Sequence, residues 1–136
     1  MAISIPMEYD YERGEFVRKL KTVKVWHIAS TPSTSVAAGA VLASTTVPSS
    51  REVYITGYVF STTSAGNGVY VTIGTSTVLP TIMDANKPVK QTASRQAPIA
   101  KADAGSTVSI VAVNAGTYSV ALWGVEEPIP SYIETA

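Results

Sequence analysis

Residues 51–61 read Arg-Glu-Val-Tyr-Ile-Thr-Gly-Tyr-Val-Phe-Ser, and the alternation within them decides the fold class. In an extended chain successive side chains point to opposite faces. Val53, Ile55 and Val59 therefore share one face and Tyr54, Thr56, Tyr58 and Phe60 the other, which describes a long strand with an aliphatic and an aromatic side. Residues 64–68, Ser-Ala-Gly-Asn-Gly, follow with turn chemistry, because Gly and Asn adopt positive φ at little cost. The chain is expected to return as a hairpin in which Val69, Val71 and Ile73 alternate with Tyr70 and Thr72. Residues 74–77 close that strand before Val78 and Leu79, and Pro80 ends the run.

Outward from this segment the same pattern recurs. Val108, Ile110 and Ala112 alternate with Thr107, Ser109 and Val111; Asn114-Ala-Gly116 then turns the chain into Tyr118, Val120 and Leu122, with Trp123 on the opposite face. This reads as a second hairpin. Upstream, Thr22–Ala29 forms a strand with Val23 and Val25 on one face and Trp26 and Ile28 on the other. Val36–Ala43 is read as a strand despite its Ala content, because Ser and Thr flank it and Gly39 interrupts it. Residues 84–88 form a turn or loop, and Val89–Ala100 holds two short polar strands that Pro98 confines to an edge or irregular position. Asp103-Ala-Gly105 makes the next turn. Seven or eight short strands separated by Gly, Asn and Pro specify an all-β sandwich or barrel.

The length of 136 residues suits one domain with a core of its own. Only 15% of residues are charged, the net charge is zero, and the charges fall in blocks. From Val25 to Ser50, Val53 to Met83 and Ala104 to Val125 there is no Asp, Glu, Lys or Arg. Residues 1–21 form a charged arm in which acids precede bases, an order that suits a short helix as well as it suits a solvated arm. The body is expected over residues 22–125. A tail from Glu126 to Ala136 carries two prolines with Ile129, Tyr132 and Ile133, apolar side chains that dock on the chain's own domain or on a neighbour. The acidic N-terminus does not resemble a secretory signal, and no apolar run is long enough to span a membrane as a helix. A soluble protein made in a cytoplasm without a signal is expected. Zero net charge supplies no field for a polyanion, so nucleic acid is disfavoured as the main ligand.

The constellations that carry chemistry are sparse. His27 is the sole imidazole, it sits between Trp26 and Ile28, and the chain has no Cys, so a structural histidine is favoured over a zinc or catalytic role. Asp10, Asp84 and Asp103 complete a Ser-His-Asp inventory, but no G-x-S-x-G elbow is present. Glu126 and Glu127 are adjacent on an extended chain and point to opposite sides, which suits a strand end better than a carboxylate pair. Gly66-Asn-Gly68 has Val71 where a dinucleotide fingerprint has its third Gly, so it reads as a turn. Asp84 and Asp103 are too few for a calcium loop. Arg18, Lys19, Lys21 and Lys24 are offset by nearby acids and read as a solvated arm or inter-subunit ion pairs. No catalytic residue, metal or cofactor is expected.

Tyr54, Tyr58, Phe60 and Tyr70 form either a stacking platform for sugars or a face covered by a neighbouring subunit. Coverage is favoured, because aromatic residues are enriched and charged ones depleted at interface cores. Long strands without charge need covered faces and edges in a soluble protein. The candidate interface comprises Tyr54, Tyr58, Phe60, Tyr70, Trp26, Trp123, Ile129, Tyr132 and Ile133. The alternative is a carbohydrate- or ligand-binding module with an exposed aromatic face.

The stretch from Arg51 to Pro128, REVYITGYVFSTTSAGNGVYVTIG through AGSTVSIVAVNAGTYSVALWGVEEP, resembles small jelly-roll or β-sandwich virion proteins of phages and archaeal viruses. The resemblance lies in Ser/Thr/Ala/Val-rich strands, hydroxyl-rich turns, a polar N-terminal arm and no Cys. It implies a single-domain antiparallel sandwich, jelly-roll-like, of about eight strands. It further implies a capsid, decoration or virion-surface role, in trimers, pentamers or larger arrays with itself and other virion proteins, and no catalysis.

Overall fold

In the computed structural model, residues 7–10, 15–18, 23–30 and 34–129 are described. All regular elements among these residues are strands. They are β1 (Met7–Asp10), β2 (Glu15–Arg18), β3 (Lys24–Ser30), β4 (Val41–Thr46), β5 (Arg51–Thr62), β6 (Gly68–Ile73), β7 (Ser76–Ile82), β8 (Val89–Thr92), β9 (Ala100–Ala102), β10 (Thr107–Ala112) and β11 (Tyr118–Pro128). One antiparallel sheet runs β4-β10-β6-β7; the other runs β3-β11-β5 and continues along β5 with β8 and then β9. From β3 to β6 and from β9 to β11 successive strands alternate between the sheets, while β6 and β7 stay in one sheet and β8 and β9 in the other. The order is that of a jelly roll, with β8 and β9 sharing the place of one strand on the outer edge of β5.

This topology corrects both expected hairpins. β5 and β6 lie in different sheets, as do β10 and β11, so residues 63–67 and 113–117 cross from one sheet to the other. Gly66, at φ 84°, makes its bend within such a crossing. Gly and Asn show where the chain bends; whether the next strand pairs with the last one or packs across from it depends on distant partners. The one tight return between consecutive strands of the sandwich is β6 to β7, where Ile73 faces Ser76 across Gly74 at φ 62°. Pro80 does not end this strand, because β7 is an edge and its proline needs no partner for a missing N–H. The expected strand at Val36–Ala43 is displaced to Val41–Thr46, because Gly39 at φ 81° makes a turn in its middle. In the arm, β1 pairs antiparallel with β2, matching the period-2 alternation of Met-Glu-Tyr-Asp, so the helical alternative is not formed there. The last strand reaches Pro128, which places Glu126 and Glu127 in the sheet and not in a tail.

The long strand β5 contains the feature that sets its faces. Trp123 pairs with Gly57 and the next residue, Gly124, pairs with Ile55, so Thr56 is an extra residue without a partner on β11. A bulge of this kind shifts the alternation by one. Val53 and Ile55 point into the core before it, and Tyr58, Phe60 and Thr62 after it, while Val59 turns outward. The core lies between the sheets. Trp26, Ile28, Ile55, Phe60, Tyr118 and Leu122 come from one side and Val69, Val71, Val108 and Ile110 from the other. Phe60, Ile55, Leu122 and Ile110 are wholly inaccessible, and each such side chain contributes roughly 1.5–3 kcal/mol through burial.

Candidate functional site

The two sheets differ in charge. None of β4, β6, β7 and β10 contains a charged side chain. On the face of this sheet turned away from the core, Ser44, Ser109, Thr72 and Thr77 form one row across the four strands. Val41, Val111 and Tyr70 form another. Short polar groups are satisfied within the rows: Ser44 Oγ lies 2.9 Å from Ser109 Oγ and Thr46 Oγ1 3.0 Å from Thr107 Oγ1. Beside β7, Tyr70, Pro80, Ile82 and Val113 line a shallow apolar depression of about 440 Å³. Val41 and Ile82 are 59% and 82% exposed, so apolar surface remains at both edges of the sheet. Leu79 at φ 53° and Pro80 interrupt the free edge of β7, whereas β4 has neither device.

Arg51, Glu52, Arg95, Lys101, Glu126 and Glu127 gather at one end of the other sheet. Glu52 and Glu127 face one another on β5 and β11, both 6% exposed. Lys101 Nζ stands 3.2 Å from Glu52, and the Arg95 guanidinium grips Glu127 with Nε and Nη2. Tyr54 donates its hydroxyl to Glu52 and lies under Arg95, whose Cζ is 3.6 Å from the ring centroid. Arg95 reaches this place because the bulge at Thr56 divides the neighbouring strand. Ala93 N bonds the Thr56 carbonyl and Ile99 N the Ile55 carbonyl, so residues 94–98 loop over the sheet between β8 and β9. On the core side of the same end, Arg51 pairs with Glu126 at 2.8 Å. Glu126 and Glu127 do diverge, as the alternation requires.

Burial pushes the Glu52 carboxyl upward, but the Tyr54 hydroxyl and the Lys101 ammonium outweigh it and hold the group below its ordinary range. Burial and the Glu52 bond push the Tyr54 hydroxyl up. A carboxylate tied to a phenol and an ammonium is held in its ionised form, so Glu52, Tyr54 and Lys101 make one ion-pair and hydrogen-bond network. Among the described residues no group of three or more His, Asp or Glu side chains is placed to hold a metal ion.

The aromatic residues do not form one exposed face. Trp26, Tyr58 and Phe60 are 7%, 8% and 0% exposed within the chain's own core, which removes them from the candidate interface. The bulge is the reason for Tyr58 and Phe60, whose rings stack at 4.6 Å between the sheets. Tyr54, Tyr70 and Trp123 are half-buried on outer faces, Tyr54 beneath Arg95, Tyr70 on the uncharged sheet and Trp123 on the charged one. Ile129 is half-buried beyond β11, its N–H bonded to the Ser50 carbonyl, and Tyr132 and Ile133 lie outside the described residues. His27 is exposed on β3, opposite Trp123. Glu52, Arg95 and Lys101 were not legible as a cluster, because the register that joins them spans most of the chain.

No family model and no curated protein matches the chain. Among solved structures it is similar to the infectious bursal disease virus VP2 subviral particle, at 13% identity and a TM-score of 0.43, over 93% of this chain and 37% of that one. It is also similar to the Gt strain of the same virus, at 12% identity and a TM-score of 0.41, over 90% of this chain and 36% of that one. The Gx strain gives 13% identity and a TM-score of 0.34, over 96% of this chain and 47% of that one. The chain therefore spans less than half the length of each of these proteins.

Proposed function

We propose that the chain is a virion structural protein, a capsid, decoration or surface component of the phage or archaeal-virus kind, that works by homo-oligomeric assembly without catalysis. The observation that carries this reading is the four-stranded sheet without a single charged side chain, apolar at both edges. A soluble monomer normally keeps such a sheet apart from its copies with charges on the edge strands. Here the edge strand β4 carries no charge and no proline of its own, so neither of these devices opposes a second copy. The jelly-roll order suits this use, and it serves viral coats and lectin domains alike, so the sheet surface and not the fold favours assembly. The arm and the tail act as connectors between copies, other virion proteins are the further partners, and the virion is the place of action.

Size-exclusion chromatography with light scattering at micromolar concentration tests the reading. A trimer, a pentamer or a larger closed assembly is the expected result. A protein that stays monomeric throughout overturns it.

A further inference from the structure

We propose that the outer face of the charged sheet binds an acidic sugar on Trp123. This is a ligand site on the opposite side of the sandwich from the assembly surface, and it does not depend on assembly. Leu122 points into the core, so Trp123 points away from it, and Gly57 is its partner on β5. A Cβ on Gly57 would fall 2.2–2.3 Å from Trp123 Cε2, Cζ2 and Nε1. The Nε1–Cζ2 edge of the indole therefore fills the space above Gly57 that a side chain would take, and the half-buried ring keeps its remaining exposure on the outer side.

The sheet register sets what surrounds the ring. Its row contains His27 on one side and Thr92 beyond Gly57 on the other, both exposed. The next row is Ala29, Ala121, Val59 and Lys90, low side chains that end in an exposed ammonium. On the other side stands Arg95 over Tyr54. The outer face thus presents an aromatic side chain between low neighbours and cations, with about 6.8 Å from row to row along the strands.

The charged groups beside the Trp123 row that reach solvent are the cations Lys90 and Arg95. Arg95 spends Nε and Nη2 on Glu127, which leaves Nη1 without a partner among the described residues, and its side chain is 39% exposed. Lys90 enters none of the ion pairs of the described residues. The indole Nε1–H and the Thr92 hydroxyl add two more donors. The carboxylates of this end, Glu52 and Glu127, are buried and bonded, and Asp103 pairs with Lys101 at 3.6 Å. A ligand that complements a flat apolar floor and a rim of donors and cations has an apolar ring face and an acceptor-rich, anionic periphery. A uronic acid in its pyranose form has both, its axial C–H groups for the indole and its carboxylate for Lys90.

Saturation-transfer NMR with D-galacturonic acid and D-galactose, which differ at C6 alone, tests the proposal on the wild-type chain. Transfer to galacturonic acid is expected, with galactose bound about tenfold more weakly, the value of one charge-assisted hydrogen bond. Lys90→Glu should weaken galacturonic acid to the level of galactose, and Trp123→Leu should abolish transfer to both. Should Trp123→Leu fail to fold, Trp123→Phe keeps a ring over Gly57 and should retain weaker binding with the same preference. Absence of transfer from wild type, equal response to the two sugars, or binding that survives in folded Trp123→Leu overturns the proposal. Transfer is read equally from a monomer and from an assembly, so its outcome is separate from that of the assembly test.

Discussion

Glu52 and Glu127 stand directly opposite one another on β5 and β11, two buried like charges that the sheet register forces together. Like charges in directly opposed positions destabilise a sheet. Lys101 offsets this at Glu52 and Arg95 at Glu127, both from outside the strand pair. Arg95→Ala leaves the Glu127 carboxylate buried without its guanidinium and uncovers Tyr54. A buried ion pair that loses one member costs about 3–5 kcal/mol, and the partial exposure of Arg95 reduces this to roughly 1–3 kcal/mol. Urea denaturation should show that loss, and Glu127→Gln in the Arg95→Ala background should restore part of it.

The same cluster gives stability a pH dependence with two limbs. Glu52 titrates below its ordinary value of 4.5 in the folded chain, despite burial, because Tyr54 and Lys101 favour its ionised form. A depressed carboxyl contributes stability above its unfolded value and loses it as pH falls through the folded one. Tyr54 is raised above 10.0, chiefly by burial and then by its bond to Glu52, and Lys101 above 10.5, chiefly by its bond to Glu52. Raised groups contribute stability below their unfolded values and lose it as pH rises through the folded ones. Midpoints of urea unfolding should therefore be flat between the two limbs and fall below about 4.5 and above about 10. Glu52→Gln should flatten the acid limb, and Tyr54→Phe the contribution of Tyr54 to the alkaline one.

Two glycines at the bulge are held by close approach and not by positive φ. A Cβ on Gly124 would meet the Tyr54 carbonyl oxygen at 2.0 Å, a backbone atom that cannot move without breaking the β5–β11 pairing. A Cβ on Gly57 would meet the Trp123 ring, which can swing away. Gly124→Ala should therefore be the costlier change, at about 3 kcal/mol or more, against about 1–3 kcal/mol for Gly57→Ala. Calorimetry of both variants checks the order. In a Trp123→Leu background the penalty of Gly57→Ala should shrink, because its obstacle is gone.

The positions of the strands were legible because alternation is a local property. Val69 and Val71, Val108 and Ile110, and Tyr118, Val120 and Leu122 are buried on the faces their spacing gave them. Phe60 was not legible, since nothing local marks Thr56 as an extra residue; the marker is Gly124, nearly seventy positions away, pressed against Tyr54. The pairing of strands was hidden for the same reason. Asn114-Ala-Gly116 supplies a bend whether the chain returns in its sheet or crosses to the other, and the cross-sheet course is decided by where Tyr118 and Val120 bury themselves. Glu52, Arg95 and Lys101 had a faint signal, because strands free of charge leave their charges to the strand ends. Only the register shows that those ends meet.

The assembly surface makes the last prediction. Val41 stands on the β4 edge of the uncharged sheet, 59% exposed, so a lysine there extends into water in the single chain and should change its stability by about 0.5 kcal/mol or less. In an assembly that covers β4, the same ammonium is desolvated without a carboxylate, because the sheet contains none. Its cost at each interface should reach about 3 kcal/mol, which weakens association roughly a hundredfold. Val25, 85% exposed on the other sheet, is the matched control: Val25→Lys adds the same charge to the chain but away from the proposed contact. Sedimentation velocity over a range of concentrations should find Val41→Lys dissociated where wild type and Val25→Lys remain assembled. Equal behaviour of the two lysine variants would move the contact away from β4, whether both dissociate or neither does.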